Sequence, residues 1–330
     1  MEQCFHGRTF SATETKALIH GMLDDTLSDI RIASVLTALR FIAITKENVI
    51  AIIESCHENS VTLGKLSFPN IVDCGGTGGF NNQTVNISTM ASIIAASAGA
   101  KVAKFSGKSL STKSGSSSVL KHLNISPVHN EKEIEAGLKK TGIVFLNAAS
   151  FYPSLKNLSE IRKTLGFKTI IDLVFPLANP IPLRGQVVGV YHPDLIHLMI
   201  ECLKELGRKR ALVVHGEDGL DEISVCSATT VAKLESNKII HETWKPADFG
   251  LKTHDISQLQ STNLENNAQI LMDVLQGKAP EAILNAVEIN AAAILWSAQM
   301  CESMKEALLL AQKAIQSGKA FKTFESWQGE

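Results

Sequence analysis

Two polar, glycine-bearing loops, residues 75–82 and 105–118, constrain this chain more than any other feature. The first follows a short apolar run, Ile71 to Cys74, and precedes Ile87 to Ala98, whose apolar residues recur at helical spacing and stop at Gly99. That order predicts strand, glycine loop, helix. The second loop follows Val102 to Lys104, a further predicted strand, and is rich in serine with Lys108 and Lys113 among its residues. Glycines let a backbone pass close to a bulky anion, and the free N–H groups at a helix start carry roughly half a positive charge toward it. One such loop is as readily a connecting turn, but two of them, with Lys104 beside them, fit a ligand bearing several phosphates. Neither loop has the Gly-x4-Gly-Lys-Ser/Thr of an ATP-binding loop or the Gly-x-Gly-x-x-Gly of a dinucleotide fold, so ATPase and dehydrogenase readings fall.

Around these loops the chain divides by pattern. Residues 1–66 read as helices only: Ser11 and Glu14 form a candidate capping box ahead of Leu18, Ile19 and Leu23, a second helix carries Ile30 to Ile42, and a third carries Val49 to Ile53. From Ile71 to about Trp244 short apolar runs alternate with helical patterns, the signature of a largely parallel sheet with covering helices. The predicted strands are Ile71–Cys74, Val102–Lys104, Ile143–Leu146, Val187–Val190, Ala211–Val214 and Glu222–Val225, with Asn130 capping the helix before the third. Two apolar helical stretches follow, Ile283 to Trp296 and Met304 to Ile315, the latter stopping at Gly318. The expected fold is thus α/β, a small all-helical part set against a larger part, residues 71–330, with a mostly parallel central sheet.

Net charge excludes some partners. At −1 over 330 residues there is no electrostatic case for nucleic acid or an anionic membrane. No apolar run approaches the ~20 residues that span a bilayer, and Met1 to His6 lacks the regions of a signal peptide, which predicts residence in the cytoplasm. Six scattered cysteines form no CxxC pair and read as reduced core residues.

A second chemical constellation is Asp221-Glu222, after the strand Ala211–Val214 and the His215-Gly216 turn. Adjacent carboxylates at a strand's carboxyl end suit Mg²⁺, which takes a few hard oxygens plus water and phosphate. A solvated acidic turn reads the same way. No Ser/His/Asp or Cys/His constellation stands out, so no residue is assigned as catalytic, and His215 reads as a packed strand-end histidine.

These blocks together resemble the anthranilate phosphoribosyltransferases, which join phosphoribose from phosphoribosyl pyrophosphate to the amine of anthranilate in tryptophan synthesis. Gly76-Thr77-Gly78-Gly79 resembles the family's GTGG, Asn86-Ile87-Ser88-Thr89 its NIST, and Lys104 with Ser111 to Ser117 its second phosphate loop. Residues 175–180, 188–191 and 215–224 resemble later blocks, in order along residues 10 to 320. The resemblance implies donor contacts from Gly76, Thr77, Gly78, Gly79, Thr84, Asn86, Ile87, Ser88, Thr89, Lys104, Gly107, Lys108, Ser109, Ser111, Thr112, Lys113 and Ser116. It also implies Mg²⁺ on Ser88, Asp221 and Glu222, and Arg162 opposite the anthranilate carboxylate. A helical segment at roughly 150–185 should pack on the first helices, with the active site in the cleft. A homodimer through the first helices is expected, with Ile19, Leu23, Val35 and Leu39 as apolar positions in excess of what that part can bury.

The chain departs from the family pattern on the acceptor side. Phe80 stands where the family has an acidic residue, Phe105-Ser106-Gly107-Lys108 where it has His-Gly-Asn-Arg, and Phe151-Tyr152 where it has histidines. The family's asparagine at the Gly107 position touches anthranilate. Three alternatives therefore stay open: a transferase for another acceptor, a non-catalytic paralogue that binds phosphorylated ligands, and an enzyme like the pyrimidine nucleoside phosphorylases, whose Ser-Gly-Arg loop Ser106-Gly107-Lys108 resembles.

Overall fold

The computed structural model describes residues 8–24, 26–64, 66–78, 84–107 and 115–329. Three helices come first: α1 (Ala12–Leu23), α2 (Asp29–Ala38) and α3 (Lys46–Glu58). Ser11 begins α1 as the sequence predicts, its hydroxyl accepting the Glu14 N–H at 3.2 Å while the Glu14 carboxylate accepts the Ser11 N–H at 2.8 Å. The α/β part follows as β1 (Ile71–Gly76), α4 (Ile87–Ser97), β2 (Lys101–Ser106), α5 (Ser116–His122), α6 (Glu131–Lys140), β3 (Ile143–Asn147), α7 (Ala148–Phe151), α8 (Leu155–Leu165), α9 (Ile170–Val174), β4 (Gly185–Gly189), α10 (Leu195–Glu205), β5 (Arg210–Gly216), β6 (Thr229–Glu235) and β7 (Lys238–Trp244). Four helices follow the sheet: α11 (Leu264–Leu275), α12 (Glu281–Ser297), α13 (Met304–Gln316) and α14 (Lys319–Gln328).

The strands form one sheet in the order β3-β2-β1-β4-β5-β6-β7. The first five run parallel, with Val72 opposite both Val102 and Gly185, and β6 and β7 add an antiparallel edge. Alternation along each strand sends side chains to opposite faces. Val72, Cys74, Val102, Phe145, Val187 and Val214 meet a core built with α4 and the carboxyl-terminal helices. Ile71, Ala103, Phe105, Val144, Val188 and Val213 meet a second core, which runs on without a break through α8, α9 and α10 to α1–α3.

A buried polar knot fixes where the later helical segment sits. Asp73 on β1 is 2% exposed and accepts from the N–H groups of Cys74 (2.7 Å) and Phe105 (3.2 Å) and from Asn179 Nδ2 (3.0 Å). Tyr152 donates its hydroxyl to Ala178 O at 2.6 Å. Residues 148–180 are thereby tied both to the sheet and to each other, above the carboxyl ends of β1 and β2.

Two expectations are corrected. Glu222–Val225 is a loop, not a strand: Ile223 and Val225 are buried, at 2% and 1% exposed, but so is Ser224 between them, and Ile223 N–H and C=O bond to the Asn290 side chain of α12 instead of a neighbouring strand. Ile19, Leu23, Val35 and Leu39 are not exposed; the single chain already buries them in the second core. The large apolar side chains left exposed here are Ile30 of α2 and Phe41 in the turn that follows it, at 80% and 83%.

Candidate active site

A cleft of about 760 Å³ opens at the carboxyl ends of the parallel strands, between the glycine loops, the acidic turn after β5 and the α8–α9 segment. Ligands of open α/β sheets bind at this edge. Gly76, Thr77, Gly78, Thr84, Asn86, Ile87, Ser88, Lys104, Gly107, Ser116, Arg162, Asp221 and Glu222 all line it. Gly79, Lys108, Ser109, Ser111, Thr112 and Lys113 lie outside the described residues, as does Phe80.

The loop after β1 is fastened before it reaches the ligand side. Thr77 donates its N–H to Gly189 O at 3.0 Å and its hydroxyl oxygen accepts the Tyr191 N–H at 2.9 Å, so that side chain anchors the loop to β4. Gly78, with φ +80°, then turns its N–H onto Asp221 Oδ2 at 2.8 Å. Thr84 pairs with Gln260 through an isolated bridge, and the Asn86 N–H donates to Asn267 Oδ1 at 3.2 Å, which sets the start of α4. Ile87 points its side chain into the core, leaving backbone toward the cleft. Thr89 is fully buried; its hydroxyl donates to Ser116 Oγ at 2.8 Å and joins the two loop-bearing helices. Ser117 in turn donates to Gly107 O at 3.1 Å.

The acidic pair sits in a tight turn. Gly216 N–H donates to Leu220 O at 2.8 Å, and the Asn290 clamp holds the far end at Ile223. Lys104 is the buried countercharge: 2% exposed, it donates from Nζ to Cys74 O at 3.0 Å and to Ser88 Oγ at 3.4 Å. Burial above all, and then the Asp221 carboxylate beside it, push the Glu222 carboxyl upward, opposed by Lys104 and by the Ser88 N–H. Such a pair favours a bound cation. The donors available, two carboxylates and the Ser88 hydroxyl, are all hard oxygens, and the described residues hold no group of three His, Cys, Asp or Glu. Too few for an all-protein cage, they suit Mg²⁺, which completes its shell with water and substrate phosphate.

The other end of the cleft is aromatic. Phe105 stacks on Phe175 with ring centroids 4.7 Å apart and meets Tyr152 edge-on at 5.9 Å. Arg162 of α8 lines this end, its side chain 13% exposed, paired with Asp172. Its Nε is buried without a partner. Asp172 also accepts the Thr169 N–H at 2.7 Å as the cap of α9.

Sequence reasoning missed Lys168 and Asp172: the nearby Gly166 and the Thr169-x-x-Asp172 pattern read as a helix stop and a helix cap, and neither points to a site. Lys168 reaches from the α8–α9 turn across the cleft. Its Nζ donates to Thr77 O at 3.0 Å and to Gly78 O, and stands 4.4 Å from the centre of the Tyr191 ring. Burial lowers its pKa, against the pull of Asp221 and Asp172.

Comparison with known proteins agrees along the whole chain. Residues 68–321 match the model of the glycosyl transferase family a/b domain, and residues 1–60 that of the same family's helical bundle domain. The anthranilate phosphoribosyltransferase of Bacillus licheniformis is 33% identical over 325 residues, covering 98% of this chain and 96% of its own. That of Clostridium kluyveri is 37% identical over 329 residues with the same coverage. Among solved structures, the Thermus thermophilus anthranilate phosphoribosyltransferase superposes with TM-score 0.91 at 27% identity over 99% of this chain and 98% of its own. The Saccharomyces cerevisiae protein in complex with PRPP and Mg gives 0.87 at 28% identity over 97% and 93%. By sequence, fold and length, the chain belongs to the anthranilate phosphoribosyltransferase family.

Proposed function

We propose that this chain transfers phosphoribose from phosphoribosyl pyrophosphate to the amino group of anthranilate, releasing pyrophosphate, as the names of its relatives describe. The observation that carries this reading is the contact of Gly78 N–H with Asp221 Oδ2 at 2.8 Å, which brings a phosphate-type loop against a metal-type carboxylate pair in one cleft. In the reaction the C1–O bond to pyrophosphate breaks, a C1–N bond to the amine forms, and the amine sheds one proton. Positive charge grows on the sugar and negative charge on the leaving group, so the site must neutralise and position. Glycine-loop N–H groups, Lys104 and the Ser116 hydroxyl would hold phosphate oxygens. Asp221, Glu222 and Ser88 would hold Mg²⁺, which neutralises the pyrophosphate when bound. No histidine or cysteine lies among the described residues that line the cleft. His215 is packed at a strand end, its Nδ1–H donating to Val190 O at 2.8 Å.

The same reading assigns residues 1–66 with the later segment, roughly 150–185, to a helical domain, and residues 71–330 to the donor-binding domain. We infer a homodimer through the helical domain, on which Ile30 and Phe41 remain uncovered, and residence in the cytoplasm, where the free thiols of the five described cysteines persist. Sedimentation that finds only monomer at micromolar concentration would remove the dimer.

Calorimetric titration with phosphoribosyl pyrophosphate plus Mg²⁺, followed by fluorescence detection of anthranilate consumption, tests the function. Both binding and turnover are expected, and Asp221→Ala/Glu222→Ala should abolish turnover in a folded protein. Absence of donor binding in the parent chain, or full activity in that variant, overturns the assignment.

A further inference from the structure

Resting on that reading, we infer that Asp172 sets the acceptor preference of this chain by holding Arg162 in an internal ion pair, so that a carboxylate-bearing acceptor must compete with a resident carboxylate. Arg162 and Asp172 pair at 13% exposure each, inside the aromatic end of the cleft. Both Asp172 oxygens are occupied: Oδ1 takes the Arg162 guanidinium, and Oδ2 takes the Thr169 N–H at 2.7 Å and the Thr169 hydroxyl at 3.1 Å. Asp172 is therefore fixed by the α9 cap and cannot swing away freely when a guest arrives. Asp172 takes only an Nη2 hydrogen of the guanidinium, and Nε is buried, so Nη1 is the donor left for that guest. A carboxylate docking there gains the free donor yet stands beside a second anion in a part-buried site, where like charges repel more strongly than in water.

The neighbouring wall sharpens the selection. Phe105, Tyr152 and Phe175 line this end with uncharged rings, so nothing in them favours an aromatic guest that carries an acid over one that does not. Consequently the pocket should discriminate weakly between anthranilate and its neutral amide, 2-aminobenzamide. Asp172 is a positioning residue in this account, since it acts through Arg162 and does not touch the acceptor.

Asp172→Asn tests the inference. Its one carbonyl oxygen can still cap Thr169, while its NH₂ group offers Arg162 no acceptor and the negative charge is gone. Binding of anthranilate and of 2-aminobenzamide is measured by fluorescence titration of the Mg²⁺–pyrophosphate-loaded protein, beside steady-state KM and kcat. The expected result is roughly tenfold tighter anthranilate binding, the factor that about 1.4 kcal/mol gives, with the amide moved less than twofold. Asp172→Ser, which keeps a capping hydroxyl, should shift anthranilate in the same direction, and thermal melting confirms that both variants fold. A merely structural role would weaken both ligands together, and that pattern overturns the inference. Unchanged anthranilate affinity in both variants, with the parent chain still turning anthranilate over, overturns this inference alone. Failure of every protein to bind or consume anthranilate overturns it together with the proposed function.

Discussion

The Cβ that Gly76 lacks would lie 2.3 Å from Asp221 Oδ2, so the first phosphate loop and the acidic turn meet where no side chain fits. The same oxygen accepts the Gly78 N–H. Loop and carboxylate are therefore one unit, and a methyl group at position 76 must turn the Asp221 side chain off its bond. Losing a hydrogen bond to a charged group costs about 1.5–3 kcal/mol, so Gly76→Ala should lower kcat/KM roughly 10- to 150-fold. Gly189→Ala differs in kind, because its Cβ would fall 1.6 Å from the Asp221 backbone oxygen, which cannot rotate aside. That variant should lose both activity and about 1–3 kcal/mol or more of stability. A Gly189→Ala protein that melts like its parent would sink this account of the packing.

A stability profile against pH reads the acidic pair directly. Glu222 is raised above its ordinary 4.5, first by burial and then by Asp221. An acid whose folded pKa exceeds its unfolded one binds more protons when folded, so its contribution is full below 4.5 and is lost as pH rises through the raised value. The metal-free parent should thus lose melting temperature relative to Glu222→Gln as pH climbs from about 4.5. Added Mg²⁺ should narrow that gap at the alkaline end. Parallel profiles for the two proteins would show that Glu222 carries no such strain.

Lys168 ties the helical segment to the first phosphate loop through the carbonyls of Thr77 and Gly78. Lys168→Met keeps the aliphatic stem and removes the tie. The loop then samples other arrangements before the donor binds, and the KM for phosphoribosyl pyrophosphate should rise by about tenfold or more, since each of the two charged hydrogen bonds lost is worth about 1.5–3 kcal/mol. Initial rates across donor concentration decide it, and an unmoved donor KM means that the lysine does not hold the loop.

How far the sequence foretold this site varies with where the chain keeps its instructions. The start of the first glycine loop, the α1 cap at Ser11 and the cap at Asn130 are local, each written in three or four adjacent residues, and the structure places them where the spacing says. The hairpin of β6 and β7 was harder to see: only its turn, Ser236 and Asn237 at φ +50° and +63°, is local, and β7 is largely exposed on both sides, so no alternation marks it. Residues 222–225 misled for the opposite reason. Ile223 and Val225 are indeed buried, but Ser224 between them is buried too, and Asn290, far along the chain, takes the backbone bonds a strand would have needed. Lys168 and the Asp172–Arg162 pair are products of tertiary approach; the one local mark here, the Thr169-x-x-Asp172 cap, says nothing of Arg162.

The absent acceptor-side amide is the last test, and it turns on how Gly107 meets a ring that is itself stacked on Phe105. A Cβ at Gly107 would lie 3.0 and 3.1 Å from Phe175 Cε1 and Cζ, tighter than the ring can accept without moving, and the Phe105 stack holds that ring in place. Placing there the asparagine that the family resemblance implies, as Gly107→Asn alone, should therefore push Phe175 into the acceptor end and raise the KM for anthranilate. Cutting the ring back alone, as Phe175→Ala, removes part of the aromatic wall and should raise it too. Together the changes make room for the amide at the acceptor, so the double variant should bind anthranilate better than either single one. The coupling should reach about 1 kcal/mol or more, within the range for residues in contact. A four-way cycle of anthranilate KM values measures it directly. Simple additivity would mean that Phe175 does not dictate the glycine, and that the loss of the amide has a cause outside this stack.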